Sequence, residues 1–389
     1  MERPVNSKKT DSGLVVAIIL LLGFGLLTLY FTSADYGLRA HSGTTHFLKQ
    51  QLFPVFVGLV CMIGLACINL DWIRKMIPWI LFATIILNIL PFLPILGYEK
   101  NGGRRWIKIF SLTFQPSELA KFVLVLFLAN LFDKKKDRIN DPATCITPAI
   151  TVLFIFVAII IFQNDYATSM ILLGLGLMLF FLSGVSLKWF GVFFVFSVPI
   201  AIIFIFLEEY RVDRLIAFLR PEYDVEGINY QVMASKVAVS AGGFWGQGMG
   251  TGLEKIKSIP EVHADFVFAG WAEAMGFLGI IGYFALLGYF AYKAFYIATK
   301  CEDFFRSLLA FGCGAIIVIQ SLLNCGVVCG ALPSTGIPLP FFSHGGSSML
   351  ITLAMSGVLI NISRYENVSE MIYEWYLYLF RRRKILFRR

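Results

Sequence analysis

The chain has 389 residues, of which 58% are hydrophobic and only 15% charged, and its formal net charge is +8. Soluble domains carry about 25% charged residues, so this composition excludes a soluble globular protein and indicates a polytopic membrane protein. In a soluble chain the positive charge would point to nucleic acid; here it reads as membrane topology and headgroup attraction, and no nucleic-acid partner is expected.

Apolar runs predict an all-α fold of about ten membrane-spanning helices. They fall near residues 13–33, 47–69, 76–97, 116–133, 143–163, 165–184, 187–207, 264–297, 305–331 and 344–364. Residues 1–12 form an N-terminal segment and 365–389 a basic tail. The first run is about twenty residues long and nine more follow, so no cleavable signal peptide is expected. An even number of spans puts both ends on one side. With the N-terminus inside, 20 of the 33 Lys and Arg lie on the inner side, including the clusters at 134–138 and 381–389. The positive-inside rule therefore predicts N-in and C-in. The seven Cys include no CxxC pair, so neither a disulfide framework nor a zinc pattern is present.

Two outward segments run against that charge bias. The loop 98–115 holds Lys100, Arg104, Arg105 and Lys108, and the loop 208–263 holds Arg211, Arg214, Arg220, Lys236, Lys255 and Lys257. They either pair with acids such as Glu208, Glu209, Asp213 and Glu222 or hold an anionic ligand. The loop 208–263 is the largest element outside lipid. It reads as amphipathic segments at the interface, followed by a turn region with Gly242, Gly243, Gly246 and Gly248.

The uncommon polar residues fall in these and neighbouring segments. Pro116 suits a helix first turn, and Glu118 and Lys121 share a face three residues on. They form either a buried ion pair or a site in which Lys121 meets a phosphate and Glu118 orients it. Trp106 is either an interfacial aromatic or a ligand contact. Asp165, in the tight hairpin 163–168, suits a cap for the sixth span. Arg211 and Arg214, three apart on one helical face, suit a diphosphate. The stretch 258–270 places Glu261, His263 and Asp265 at alternate positions just before an apolar run. A carboxylate at the mouth of a membrane helix is costly without work or a partner, so Asp265 is expected to carry chemistry. In 333–348, Ser343 suits a cap for the last span, while Gly345 and Gly346 allow close approach of a ligand. A His263–His344 metal site with Asp265 has no supporting ligand spacing. Several separated segments converging on one face suggest a site for an anionic amphiphile in the outer leaflet, with a carboxylate base.

From about residue 13 to 365 the chain resembles the SEDS family of bacterial membrane proteins (FtsW, RodA and SpoVE). The resemblance rests on Arg104-Arg105-Trp106, on Gln115 to Lys121, and on Tyr210-Arg211 with Arg214. It continues through Tyr230-Gln231, Gly242-Gly243 with Gly246 and Gly248, His263 with Asp265-Phe266, and Leu339-Pro340 with Ser343 and Gly345 to Ser348. It implies a peptidoglycan glycosyltransferase of the bacterial cytoplasmic (inner) membrane that polymerises lipid II on the outer face, for division or cell shape. The class B penicillin-binding protein that crosslinks the product would be a partner, beside other divisome or elongasome proteins. It further implies Asp265 as the catalytic carboxylate, acting as general base. The expected substrate-side set is Arg104, Arg105, Trp106, Glu118, Lys121, Asp165, Arg211, Arg214, Gln231, His263, Glu273, Ser343, His344, Ser347 and Ser348. A divalent cation, Mg or Mn, would share the charge on the diphosphate. The wording around Gly246-Gln247-Gly248 leans to the division-type, FtsW-like branch. The chain departs from the family where Gln163 to Thr168 replaces the usual Gln-Pro-Asp-Leu-Gly-Thr, and at Ala264, Ala274 and His344. The competing readings are a flippase for the lipid-linked precursor and a non-catalytic scaffold for a penicillin-binding protein.

Overall fold

Long apolar runs fold as helices because lipid offers no partner for a free backbone N–H or C=O. The computed structural model describes residues 10–365 except 42, 101, 110–111, 223, 225–226, 228, 251–255, 257–258 and 260–261. Lys8, Lys9, Lys255, Lys257, Pro260, Glu261 and the basic tail therefore lie outside the described residues. The first helices are α1 (Ser12–His41), α2 (His46–Cys67), α3 (Leu70–Ile89), α4 (Pro116–Lys134), α5 (Thr147–Phe162), α6 (Tyr166–Ser183) and α7 (Leu187–Phe206). Then come α8 (Glu209–Leu219), α9 (Tyr230–Ala241), α10 (Val262–Asp265), α11 (Val267–Lys300), α12 (Phe304–Val328) and α13 (Gly346–Ser363). Their ends follow local chemistry: Asn69, Asp165 and Asp303 accept main-chain N–H groups at the starts of α3, α6 and α12. Pro116 opens α4, and Gly184 closes α6 in the left-handed conformation.

Among the described residues, nine helices are long and apolar enough to cross a membrane. The tenth expected span, α4, has the length but carries Glu118, Lys121, Asp133 and Lys134. It is placed inside the bundle, with most of its residues buried against α3, α12, α6 and α13. The other central helix is α13, 89% buried and packed along α2, whereas α2 and α3 are 22% buried and turn most of their surface outward. That outward surface, with Phe53, Phe56, Trp79 and Phe82, suits lipid.

The segment expected as an outward loop contains a small antiparallel sheet. Its strands are β1 (Gly97–Lys100), β2 (Gly103–Ile109) and β3 (Leu112–Phe114), in the order β1-β2-β3. Tyr98 pairs with Trp106, Glu99 with Arg104 and Lys108 with Thr113. In β2, Gly103 and Ile107 are buried and Arg104 and Lys108 are exposed, as a strand with one face toward the protein requires.

The two described ends of the chain meet. Asp11 pairs with Lys293 at 3.0 Å, and Thr10 and Asp11 bond Arg364 and the Ser363 hydroxyl. Lys293 lies near the end of α11, whereas Asp265 precedes its start. The unbroken helix α1 spans between them, with Gly13 against Lys293 and Tyr36 5.5 Å from the His263 ring, and its 23 intervening steps at ~1.5 Å each come to roughly 35 Å, enough to cross a bilayer core. The termini and the Asp265 region thus occupy opposite ends of the bundle.

Candidate functional site

The site is built where four separated segments meet beside α10. The short helix α10 brings up Asp265, which is half-buried. The amphipathic helix α8 brings Tyr210 and Arg214, α9 brings Gln231, and the segment 334–337 runs past them. Together with Asn324 of α12 these line a polar cavity of about 440 Å³. Arg214 is the guanidinium that lines it, donating to the Ser334 carbonyl at 3.1 Å. Its side chain is accessible through the cavity. The surrounding protein still lowers its pKa from the ordinary value; Tyr210 and Asp265 oppose that effect and Arg105 adds to it. An arginine nevertheless keeps its charge at any working pH.

A second space, also about 440 Å³, adjoins this one and shares Tyr210, Arg214, Ser334, Thr335 and Ile337 with it. It is an apolar groove whose walls include Met170, Ile171 and Leu175 of α6 and Ile319 and Leu323 of α12. Arg105, Asp165 and Arg211 sit on its lining. Asn164 fastens this corner with its backbone at φ 62°. Its carbonyl accepts from Arg105 and from the Tyr210 hydroxyl, and its amide oxygen accepts from Arg211 at 3.1 Å. Arg211 also donates to the Phe204 carbonyl and is 7% exposed. Its guanidinium is thus spent on holding α7 and α8 to the hairpin. Of the arginine pair expected to face a diphosphate, Arg214 lines the polar cavity and Arg211 lines only the apolar groove. Asp165 caps α6 through Thr168 N, accepts from Gln115 at 3.0 Å and lies 4.0 Å from Arg105.

The other expected residues line neither space. Arg104 is exposed and pairs with Glu99 across the hairpin. Trp106 packs on the sheet with Arg105 over its ring. Glu118 and Lys121 form an ion pair at 2.8 Å with side chains 4% and 1% exposed. Lys121 therefore meets a carboxylate inside the bundle. Such a pair is poor for stability when broken and nearly neutral when replaced whole. Lys121→Met alone is expected to lower stability by about 3–5 kcal/mol. The double change with Glu118→Met should recover most of that loss in thermal unfolding, and equal losses would refute the pairing.

Glu273 accepts from Ile256 N at 2.9 Å, stapling the end of the large loop to α11. His263 and His344 lie 5.5 Å apart by ring centroids, with Phe47 4.0 Å from His263. His344 N donates to the His263 carbonyl. Among the described residues no three His, Cys, Asp or Glu side chains are grouped to hold a metal ion. Ser343 was expected to cap the last span. Instead its hydroxyl accepts from Leu339 N at 2.8 Å and closes the turn before α13, whose N-cap is Gly345 with no side-chain bond. A hydroxyl three residues before the helix is too early to reach the first free N–H groups, so it satisfies the turn. Ser347 accepts from Gln115 N at 2.8 Å, and Ser348 is buried nearby. The sequence reading missed Asn324. Its signal was a lone carboxamide in an otherwise apolar run, Leu322 to Val328, where an amide needs bonded partners.

A family model described as "Cell cycle protein", covering FtsW, RodA and SpoVE, matches residues 12–368. The chain belongs to this family. A "Probable peptidoglycan glycosyltransferase FtsW" from Trichlorobacter lovleyi is 33% identical over 93% of this chain and 95% of its own. One of the same name from Bacillus subtilis is 34% identical over 93% of each. A solved chain from a peptidoglycan synthase complex that coordinates polymerisation and crosslinking superposes with a TM-score of 0.74. It is 26% identical and covers 92% of this chain and 99% of its own. As a member of the FtsW/RodA/SpoVE family the chain is a multi-pass membrane protein, and the FtsW names agree with the FtsW-like wording of its glycine-rich turn.

Proposed function

We propose that this chain is a peptidoglycan glycosyltransferase that polymerises lipid II into glycan strands at the outer face of the bacterial cytoplasmic membrane. The observation that carries this reading is the junction of the two spaces. A polar cavity lined by Asp265 and Arg214 opens into an apolar groove, which suits an amphiphile whose headgroup reacts while its chain stays in lipid. The acceptor sugar's 4-hydroxyl attacks the anomeric carbon of the donor. A carbon–oxygen bond forms, the bond to the diphosphate breaks, and the configuration inverts. Asp265 takes the hydroxyl proton as general base. Arg214 faces the leaving diphosphate as its charge develops, where a fixed cation lowers the barrier most. Arg105 supports that field from the groove wall. A divalent cation, when bound, would add positive charge beside the leaving diphosphate.

The positive-inside bias puts the termini in the cytoplasm and Asp265 on the outer side. The glycan so formed would pass to a class B penicillin-binding protein, the crosslinking partner. The test is purified protein incubated with lipid II and a divalent cation, with and without that partner, scored for polymer on a gel. Polymer in either tube supports the reading. No polymer from folded protein in both tubes overturns it, and lipid II crossing a vesicle bilayer instead would favour the flippase.

A further inference from the structure

Asn324 lies in α12, 1% exposed, beside the polar cavity. Its amide nitrogen makes two hydrogen bonds to main-chain carbonyls: Asp265 O at 2.7 Å and Ile337 O at 2.8 Å. One bond grips the residue that carries the reacting carboxylate. The other grips the end of a strap, residues 334–337, whose start is held by Arg214 at the Ser334 carbonyl. The strap crosses directly over the carboxylate. Gly336 sits at φ +70°, and a Cβ added there would stand 3.4 Å from Asp265 Oδ2. Both ends of the strap and the main chain of Asp265 are thus fixed to two side chains, one of them in a rigid membrane helix. Helix-borne supports of this kind hold a reacting group more precisely than loops do.

We infer that Asn324 is a positioning residue of this site: its carboxamide ties the main chain bearing Asp265 to the strap that walls it, and so sets where the carboxylate points. The inference rests on the reading of Asp265 as the general base. Asn324 spends both N–H donors on these two carbonyls, and its amide oxygen is buried with no hydrogen-bond partner among the described residues, so its hold on the reaction runs through the main chain of Asp265. Substrate headgroup and chain are held elsewhere, by Arg214 and the apolar groove. Loss of Asn324 should therefore lower the chemical step and leave binding near its original strength. A misplacement of about 1 Å costs on the order of 100-fold.

The test is the full chain in proteoliposomes with lipid II and the penicillin-binding protein, comparing wild type, Asn324→Ala, Gly336→Ala and Asp265→Ala. Asn324→Ala is expected to lower kcat by about 10–100-fold with KM within about threefold. Gly336→Ala approaches the same wall from its exposed side, puts a methyl against Oδ2, and is expected to lower kcat in the same way. Wild-type kcat from Asn324→Ala beside an inactive Asp265→Ala overturns the inference alone. Activity in Asp265→Ala overturns the base assignment and the inference with it. Should Asn324→Ala fail to fold by thermal unfolding, Asn324→Ser, which keeps a polar group but cannot bridge both carbonyls, decides: wild-type kcat overturns the inference, and a kcat loss at unchanged KM supports it.

Discussion

Asp265→Asn is expected to lower glycan polymerisation by about 100- to 10,000-fold, the range a positioned general base contributes, while leaving the fold intact. The side chain stands half-buried at the wall of an open cavity, so its charge can be removed without leaving a hole. The Asp265 carbonyl bonds Asn324, and an amide side chain does not disturb that bond. Changes at such accessible positions usually fall within about 0.5 kcal/mol of the parent stability. Polymer yield and thermal unfolding should therefore separate, the first collapsing and the second holding. Arg214 would keep its bond to Ser334 and still attract the diphosphate, so lipid II should bind the variant with little loss. A variant that polymerises at the parent rate would remove Asp265 from the reaction. A variant that melts early would make its carboxylate structural.

The membrane architecture was legible because the signal is long and repeated. Runs such as 143–163 and 165–184 met helices Thr147–Phe162 and Tyr166–Ser183, since an apolar run of that length in lipid has no other way to satisfy its backbone. The cap at Asp165 was legible for a similar reason: its chemistry is local. Partnership across the chain was not. Nothing within 209–219 says that Arg211 will be consumed by Asn164 and Phe204 while Arg214, one turn later, faces a cavity. The helical face is shared, and the difference arises from where α7 and the 163–168 hairpin end. The same holds for Glu118 and Lys121, whose spacing gave the ion pair but not its depth inside the bundle. The strands at 97–114 escaped notice because three short strands joined by turns carry less pattern than one long apolar run.

The break in α11 gives the second large effect. Gly276 interrupts that helix at φ 62°, ψ −160°, a conformation that only glycine adopts without strain. The glycine-rich turn of the large loop fills the gap by exchanging main-chain bonds with it. Gln247 N and Gly248 N donate to the carbonyls of Glu273 and Ala274, and Phe277 N and Leu278 N donate to those of Gly243 and Phe244. Four carbonyls and four N–H groups are thereby satisfied between two segments, and the large loop is fixed to the helix that follows Asp265. A Cβ on Gly276 would lie 2.3 Å from Gly246 N and 2.8 Å from the Phe244 carbonyl, both of them backbone atoms that cannot rotate away. Gly276→Ala is expected to lose about 1–3 kcal/mol to backbone strain and about 1–3 kcal/mol more to overpacking. Gly243→Ala is the control: its φ is +55°, but an added Cβ meets nothing within 4 Å, so it should lose only about 1–2 kcal/mol for the left-handed backbone. Thermal unfolding in detergent, with limited proteolysis of the large loop, measures both. Gly276→Ala should melt earlier than Gly243→Ala and be nicked faster within 242–262, because the exchanged bonds hold that loop down. Equal melting and equal nicking would mean that the turn is held by its side chains, and that the broken helix has no part in fixing the loop above Asp265.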